Sequence, residues 1–336
     1  MSVFTRRAAL IAAGLALAAP AFAQSVPVRV GVIPVLGASQ LFVLDKEKLA
    51  PGLDFKFTTF ESGPVMIQAL ASGSIDVYVA GVAPLGVARS KGIDVRVLTA
   101  TAVEEMTVAA GPKLAPYFAN GVKPADAFKK FKADTGKAAR VATQPPGSVP
   151  HTTLSYWLNE ATKTEKADVE IVPMGIDATQ QALLAGAVDG ATIREPTDTI
   201  VTQRDPRIKI VALGGEMFPD QPGTVVAVSG AFLARYPTAV QTLVDGVVKA
   251  TDLIKTDPKR AAPAIEAALG KGIVDTDTIV KALGSPASKF VADPRTIMSA
   301  TAKMQSFQVS IGTLDKDVPL DGLFDPSFFL KASGAK

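Results

Sequence analysis

Residues 68–76 read QALASGSID, and residues 181–189 read QALLAGAVD. In each copy a glycine stands three positions after the leucine, and an aspartate three positions after the glycine. This pattern constrains the fold because its parts have separate duties. The leucine packs the end of a helix on a sheet. The glycine supplies the left-handed turn that stops the helix. The aspartate is expected to accept amides at the start of the following strand.

The surroundings of the two copies match as well. Before and around the first, VPVRVGVIP (26–34) reads as a strand and LFVLDKEKLA (41–50) as a helix. LDFKFTTF (53–60) alternates as a strand does, and Ser62 or Gly63 with Pro64 opens the next helix. IDVYVAG (75–81) is a third strand, and ARSKGIDVRVLTATA (88–102) adds a helix end and a fourth. Around the second copy, AARVATQ (138–144) reads as a strand and HTTLSYWLNEAT (151–162) as a helix. VEIVPM (169–174) is a strand, Asp177 caps a helix over 178–185, and AVDGATI (187–193) and RIKIVAL (207–213) are strands. The alternation predicts an α/β fold of two similar lobes, each a mainly parallel sheet flanked by helices. TVVAVSGAFL (224–233) is a further strand entering a helix. Helices predicted near 236–255, 258–269, 275–283 and 297–307 pack around the first lobe.

Residues 1–23 stand apart from this pattern. A basic start at Arg6 and Arg7, an apolar run over 8–19 and Ala21-Phe22-Ala23 predict a cleaved export signal, too short to span a bilayer. Thr5-Arg6-Arg7 with Leu10 also fits the twin-arginine route, although Ala9 stands where that pattern has Phe or Leu. The expected location is the periplasm. The chain has no cysteine, which removes disulfides, thiolate metal sites, thiol nucleophiles and a lipid-bearing cysteine after the signal. Basic and acidic residues, 35 against 32, nearly balance, so there is no footprint for nucleic acid.

In open parallel sheets, ligands bind beyond the carboxyl ends of the strands. Four loops qualify: Gly37, Ala38, Ser39 and Gln40; Gly81, Val82 and Ala83; Gly147, Ser148, Val149 and His151; and Arg194 with Glu195. Glycine lets main-chain N–H groups approach a ligand, and helix starts favour anions. In the third loop Ser148 can cap, Pro150 takes the first helical position, and the amides of Val149 and His151 are expected to be free. Ser148 either serves a ligand or only caps its own helix. His151, the sole histidine, is expected to be neutral at a helix start. It cannot build a metal site alone. Neighbours on a strand point opposite ways, so one of Arg194 and Glu195 faces the cleft. Trp157 at helical spacing with Leu154 and Leu158 reads as core. Lys129, Lys130, Lys132 and Lys137 read as a solvated face.

No G-x-S-x-G elbow, Walker loop, G-x-G-x-x-G after the first strand or H-E-x-x-H occurs. With one histidine and no cysteine, most nucleophile–base pairs are unavailable, and no cofactor or metal is expected.

Taken together, FESGPVMIQALASGSIDVYVAGVAPLGVARSKGIDVRVL, PPGSVPHTTLSYWL and DATQQALLAGAVDGATIREP resemble the substrate-binding proteins of ABC importers of the nitrate/sulfonate/taurine type. The resemblance implies a two-lobed type II periplasmic-binding-protein fold. It puts lobe I at 24–103 plus 225–336, lobe II at 104–224, and crossings near 99–109 and 223–229. It implies a monomer that is not an enzyme. Hinge closure traps a small anion or zwitterion, and the closed form meets an inner-membrane permease. Gly147-Ser148 matches the family's anion-contacting loop and Glu195-Pro196 its Glu-Pro at the cleft. Similar proteins bind a thiamine-precursor pyrimidine, which wants aromatic stacking. Enzymes on the same scaffold rely on a cysteine that this chain lacks.

Overall fold

Two five-stranded sheets repeat one strand order. The computed structural model describes residues 25–270 and 274–335, so the expected export signal lies outside the described residues. The first lobe begins β1 (Val26–Val32), α1 (Ser39–Lys46), β2 (Leu53–Thr59), α2 (Gly63–Ala71), β3 (Val77–Gly81), α3 (Ala83–Ser90) and β4 (Val95–Ala100). After a short β5 (Ala102–Val103), the second lobe runs β6 (Thr107–Ala110), α4 (Pro124–Thr135), β7 (Ala139–Thr143), α5 (Val149–Tyr156), β8 (Val169–Pro173), α6 (Ile176–Leu184), β9 (Gly190–Ile193), α7 (Thr197–Arg204), β10 (Lys209–Leu213) and α8 (Gly214–Met217). The chain returns through β11 (Thr224–Ser229) and continues with α9 (Gly230–Arg235), α10 (Pro237–Thr256), α11 (Pro258–Ile265), α12 (Thr276–Leu283), β12 (Lys289–Phe290), α13 (Met298–Ser310) and α14 (Ser327–Ser333).

The first sheet is ordered β2-β1-β3-β11-β4; the second, from its far end, β8-β7-β9-β6-β10. In each, three parallel strands from consecutive βαβ units are followed by an antiparallel strand, β11 or β6. The last strand, β4 or β10, pairs antiparallel with that one and so runs with the first three. The inner strands are covered on both faces, which is why Val77, Tyr78, Val79 and Ala80 form an unbroken buried run. Helices α1, α10 and α11 pack over one face of the first sheet, burying Leu41, Leu44, Leu243 and Val247. The C-terminal helices thus cover the first lobe, but α13 also reaches across to α5.

The repeated motif explains the shared order. Leu70 and Leu183 are buried at corresponding helix ends, and Gly73 (φ +69°) and Gly186 (φ +64°) take the left-handed turn. Asp76 and Asp189 act differently from expectation. Each accepts the amide of an arginine on the neighbouring strand, Arg29 at 3.0 Å and Arg140 at 2.9 Å, rather than an amide of the strand it opens. Each returns its own amide to that arginine's carbonyl at 2.8 Å. The parallel register puts the aspartate beside the arginine, so the motif pins β3 to β1 and β9 to β7.

Three local expectations are corrected. Gly175, not Asp177, is the N-cap of α6, and Asp177 lies in the first turn. Pro150 takes the second helical position of α5, because the helix already begins at Val149. Thr224–Ser229 is not a crossing: it is already an inner strand of the first sheet, so the return passage ends at Gly223.

Candidate inter-lobe binding site

Six loops leave the carboxyl ends of the parallel strands, three per lobe, and they face one another. Leu36 N donates to Glu195 O at 2.9 Å, joining the loops after β1 and β9. The loops after β3 and β7 meet where Gly81 packs on Val149; a Cβ on Gly81 would lie 2.6 Å from Val149 Cγ2. The loops after β2 and β8 meet where Ile176 N donates to Glu61 O at 3.2 Å and Asp177 N to Glu61 Oε2 at 3.4 Å. The structure therefore brings the four expected loops, 37–40, 81–83, 147–151 and 194–195, to one seam with the lobes in contact.

A buried ion pair lies at the centre. Arg194 Nη1 donates to Glu105 Oε1 at 3.1 Å, and both side chains are about as buried as the core, 3% and 5% exposed. Thr224 Oγ1 also donates to Glu105 Oε1, at 2.7 Å. Glu105 thus joins the outgoing passage to β11 and to the loop after β9. Gly37 packs against the same carboxylate. Tyr78 donates to Gly81 O at 2.8 Å, and burial pushes its hydroxyl pKa up, opposed by the Arg194 charge. Gln40 Nε2 donates to Thr101 O at 2.8 Å. Among the described residues, several buried polar atoms at the seam have no protein partner: Ser39 Oγ, Gln40 Oε1, Ser62 Oγ, His151 Nδ1 and Arg194 Nε. Such atoms are costly unless something meets them.

The third loop differs from expectation at one atom. His151 N is not free, because Ser148 Oγ accepts from it at 3.3 Å as an N-cap; Ser148 N donates to Pro145 O at 3.1 Å. Gly147 O accepts from Gln308 Nε2 at 3.4 Å, across the seam on α13. Burial lowers the His151 pKa, which favours the neutral ring expected from sequence. Glu195 turns onto the helix that follows it, α7: Oε1 accepts from Thr199 Oγ1 at 3.0 Å and Oε2 from Thr199 N at 3.1 Å. Burial raises its pKa, opposed by Ser285, Thr199 and Lys281. Arg194, by contrast, lines a small pit with Gln144, Thr179, Thr192 and Thr197.

Sequence reasoning missed the loops after β2 and β8, although they obey the same strand-end rule as the other four. It also missed Glu105 and Gln308. Neither carries a local signal, since their importance comes from the passage between lobes and from α13 folding back. The core reading of Trp157 agrees with its 2% exposure and its edge-on contact with Phe128 at 6.0 Å. A hollow of about 970 Å³ lies away from the seam against edge strand β10. It belongs to one lobe, and none of the partnerless buried atoms among the described residues lines it. No helix of the described residues is long and apolar enough to cross a membrane.

A putative binding protein of Brucella abortus (strain 2308) is 24% identical over 264 residues, covering 76% of each chain. Among solved structures, the alkanesulfonate-binding protein SsuA of Xanthomonas axonopodis pv. citri, bound to MOPS, superposes with a TM-score of 0.70 at 19% identity, covering 89% of this chain and 98% of that one. The periplasmic nitrate-binding protein NrtA of Synechocystis PCC 6803 superposes with a TM-score of 0.74 at 14% identity, covering 93% and 89%. These likenesses establish the two-lobed periplasmic-binding-protein fold. Residues 22–269 match the NMT1-like family over most of the chain, and the protein belongs to that family.

Proposed function

We propose that this chain is the solute-binding component of an ABC importer. It captures a small organic or inorganic anion or zwitterion, of the sulfonate, taurine or nitrate kind, between its lobes and delivers it to a membrane permease. The observation that carries this reading is the set of buried, partnerless polar atoms contributed by both lobes at one seam. A ligand meeting them holds the lobes together, which is hinge closure. The moving bodies are 24–103 with 225–336 and 104–224, except that Thr224, the first residue of β11, moves with the first. No covalent step is needed, and the protein acts as a monomeric binder rather than an enzyme, in the periplasm after loss of residues 1–23. The binding proteins named above support this reading.

A thermal-shift screen against nitrate, short sulfonates, carboxylates and pyrimidines tests it. A ligand at 100 times its dissociation constant adds about 2.7 kcal/mol of stability. A shift with pyrimidines alone selects the thiamine-precursor reading, and no shift with any class removes solute capture of this kind.

A further inference from the structure

The Arg194 guanidinium is gripped on one side only. Nη1 is held by Glu105, while buried Nε has no partner among the described residues. Glu105 cannot swing away easily, because Thr224 Oγ1 donates to it and Gly37 packs against it. The guanidinium is therefore fixed in orientation. Beside it, Met106, Gln144, Thr179 and Thr192 help enclose the pit, about 10 Å³, room for about one water or one oxygen atom. The pit shares Ile176 and Thr197 with an outer recess of about 150 Å³ between the lobes, so the two adjoin. That recess has an apolar side, Pro34, Pro196, Ile200, Leu269 and Val274, and a polar side, Asp177, Gln180, Gln181 and Thr197. The floor carries the Arg194 guanidinium, and the recess above it offers one apolar side on which a short chain can lie.

We propose that Arg194 determines specificity, its Nε edge bonding one oxygen of a sulfonate or carboxylate head while a short aliphatic chain lies in the recess. This deepens the solute-binding reading and rests on it. A charge-assisted bond from a fixed guanidinium is stronger than a neutral one and suits a planar or tetrahedral oxyanion. Glu105 is the positioning residue: it aims the guanidinium without touching the solute.

Isothermal titration of the purified protein with propionate, ethanesulfonate and butanesulfonate, beside the uncharged propionamide, tests the assignment. Propionate should bind at least about tenfold tighter than propionamide. Each added methylene should tighten binding by up to about fourfold until the recess is full. Arg194→Gln should weaken every oxyanion at least about tenfold. Because that change strands Glu105 without its partner, the double variant Arg194→Gln/Glu105→Gln is measured too; it should show the same loss while melting cooperatively. Gln180→Ala should alter only the chain-length preference. Equal binding of propionamide and propionate, or undiminished oxyanion binding by the double variant, overturns the role of Arg194 but leaves solute capture standing. So does nitrate or a pyrimidine binding where no alkyl oxyanion does. Failure of all these probes and of nitrate and pyrimidines overturns both readings.

Discussion

Gly37 shows how closely the seam is built. A methyl group there would lie 2.3 Å from Glu105 Oε2 and 2.7 Å from Thr224 Oγ1. A flexible carboxylate would step aside, but this one is held by Arg194 and Thr224. Gly37→Ala should therefore destabilise the protein by about 1–3 kcal/mol through overpacking. Urea unfolding measures it, and the loss should shrink when Glu105→Ala is added, because the nearer of the two obstacles is gone. A loss below about 0.5 kcal/mol would place the carboxylate elsewhere. The sequence made Gly37 visible for a different reason, main-chain approach to a ligand after the first strand. The four loops could be read because strand ends obey a general rule. Glu105 could not, because its role arises only when the passage between lobes is folded against residues 194 and 224. Likewise Arg194 and Glu195 were both visible, but their directions depend on partners at Glu105 and Thr199 that no spacing reveals.

At the level of elements, α7 carries a buried acid in its first turn. Asp198 Oδ1 lies 2.7 Å from Thr107 Oγ1 on β6, and Thr107 Oγ1 lies 3.2 Å from Ile193 O. A hydroxyl has one proton, so it cannot donate to both acceptors at once. If Asp198 is protonated it donates to Thr107, and Thr107 is free to donate to Ile193. Burial, followed by the Glu195 charge, raises the Asp198 pKa well above its ordinary value of 3.8, opposed by Thr107 and Arg194. From about pH 4 to that raised pKa, the folded chain then binds more protons than the unfolded chain, so stability falls as pH rises. The slope from one such group is at most about 1.4 kcal/mol per pH unit. Asp198→Asn should flatten the decline between pH 4 and 7 and leave the protein relatively more stable near neutrality, as unfolding at several pH values will measure. An unchanged slope would mean that Asp198 ionises normally. The elements themselves were largely legible: apolar alternation, Pro64 at a helix start and the glycines at 73 and 186 mark the strands and helices correctly. Boundaries failed where another part of the fold intervenes. The α6 start is met by Glu61 from the opposite lobe, and an apolar run such as 224–229 does not reveal which sheet it joins.

Among the described residues, few polar contacts close the molecule across its seam, and most of them use main-chain atoms. Leu36 N to Glu195 O and Ile176 N to Glu61 O survive any change of side chain that keeps the N–H. The Glu61 carboxylate can. It comes from lobe I, is exposed, and accepts from Asp177 N in the first turn of α6 in lobe II. Gly175 leaves it room, since a Cβ there would lie 2.8 Å from Glu61 Oε2. A carboxylate at a helix N-terminus is stabilised by the helix dipole, and this contact is made only while the lobes touch. Glu61→Gln keeps the shape and removes the charge, so it should shift the free protein toward the open form. Apparent ligand affinity follows the fraction of closed, competent protein, so it should fall by about two- to fivefold. Small-angle scattering should show a larger radius of gyration for the ligand-free variant than for the ligand-free parent. The two should become equal when a ligand saturates both. Because the carboxylate is exposed, raising the salt should shrink the difference. Equal radii and equal affinities at low salt would mean that main-chain contacts and the ligand alone set closure, and that Glu61 is only a neighbour of the helix it touches.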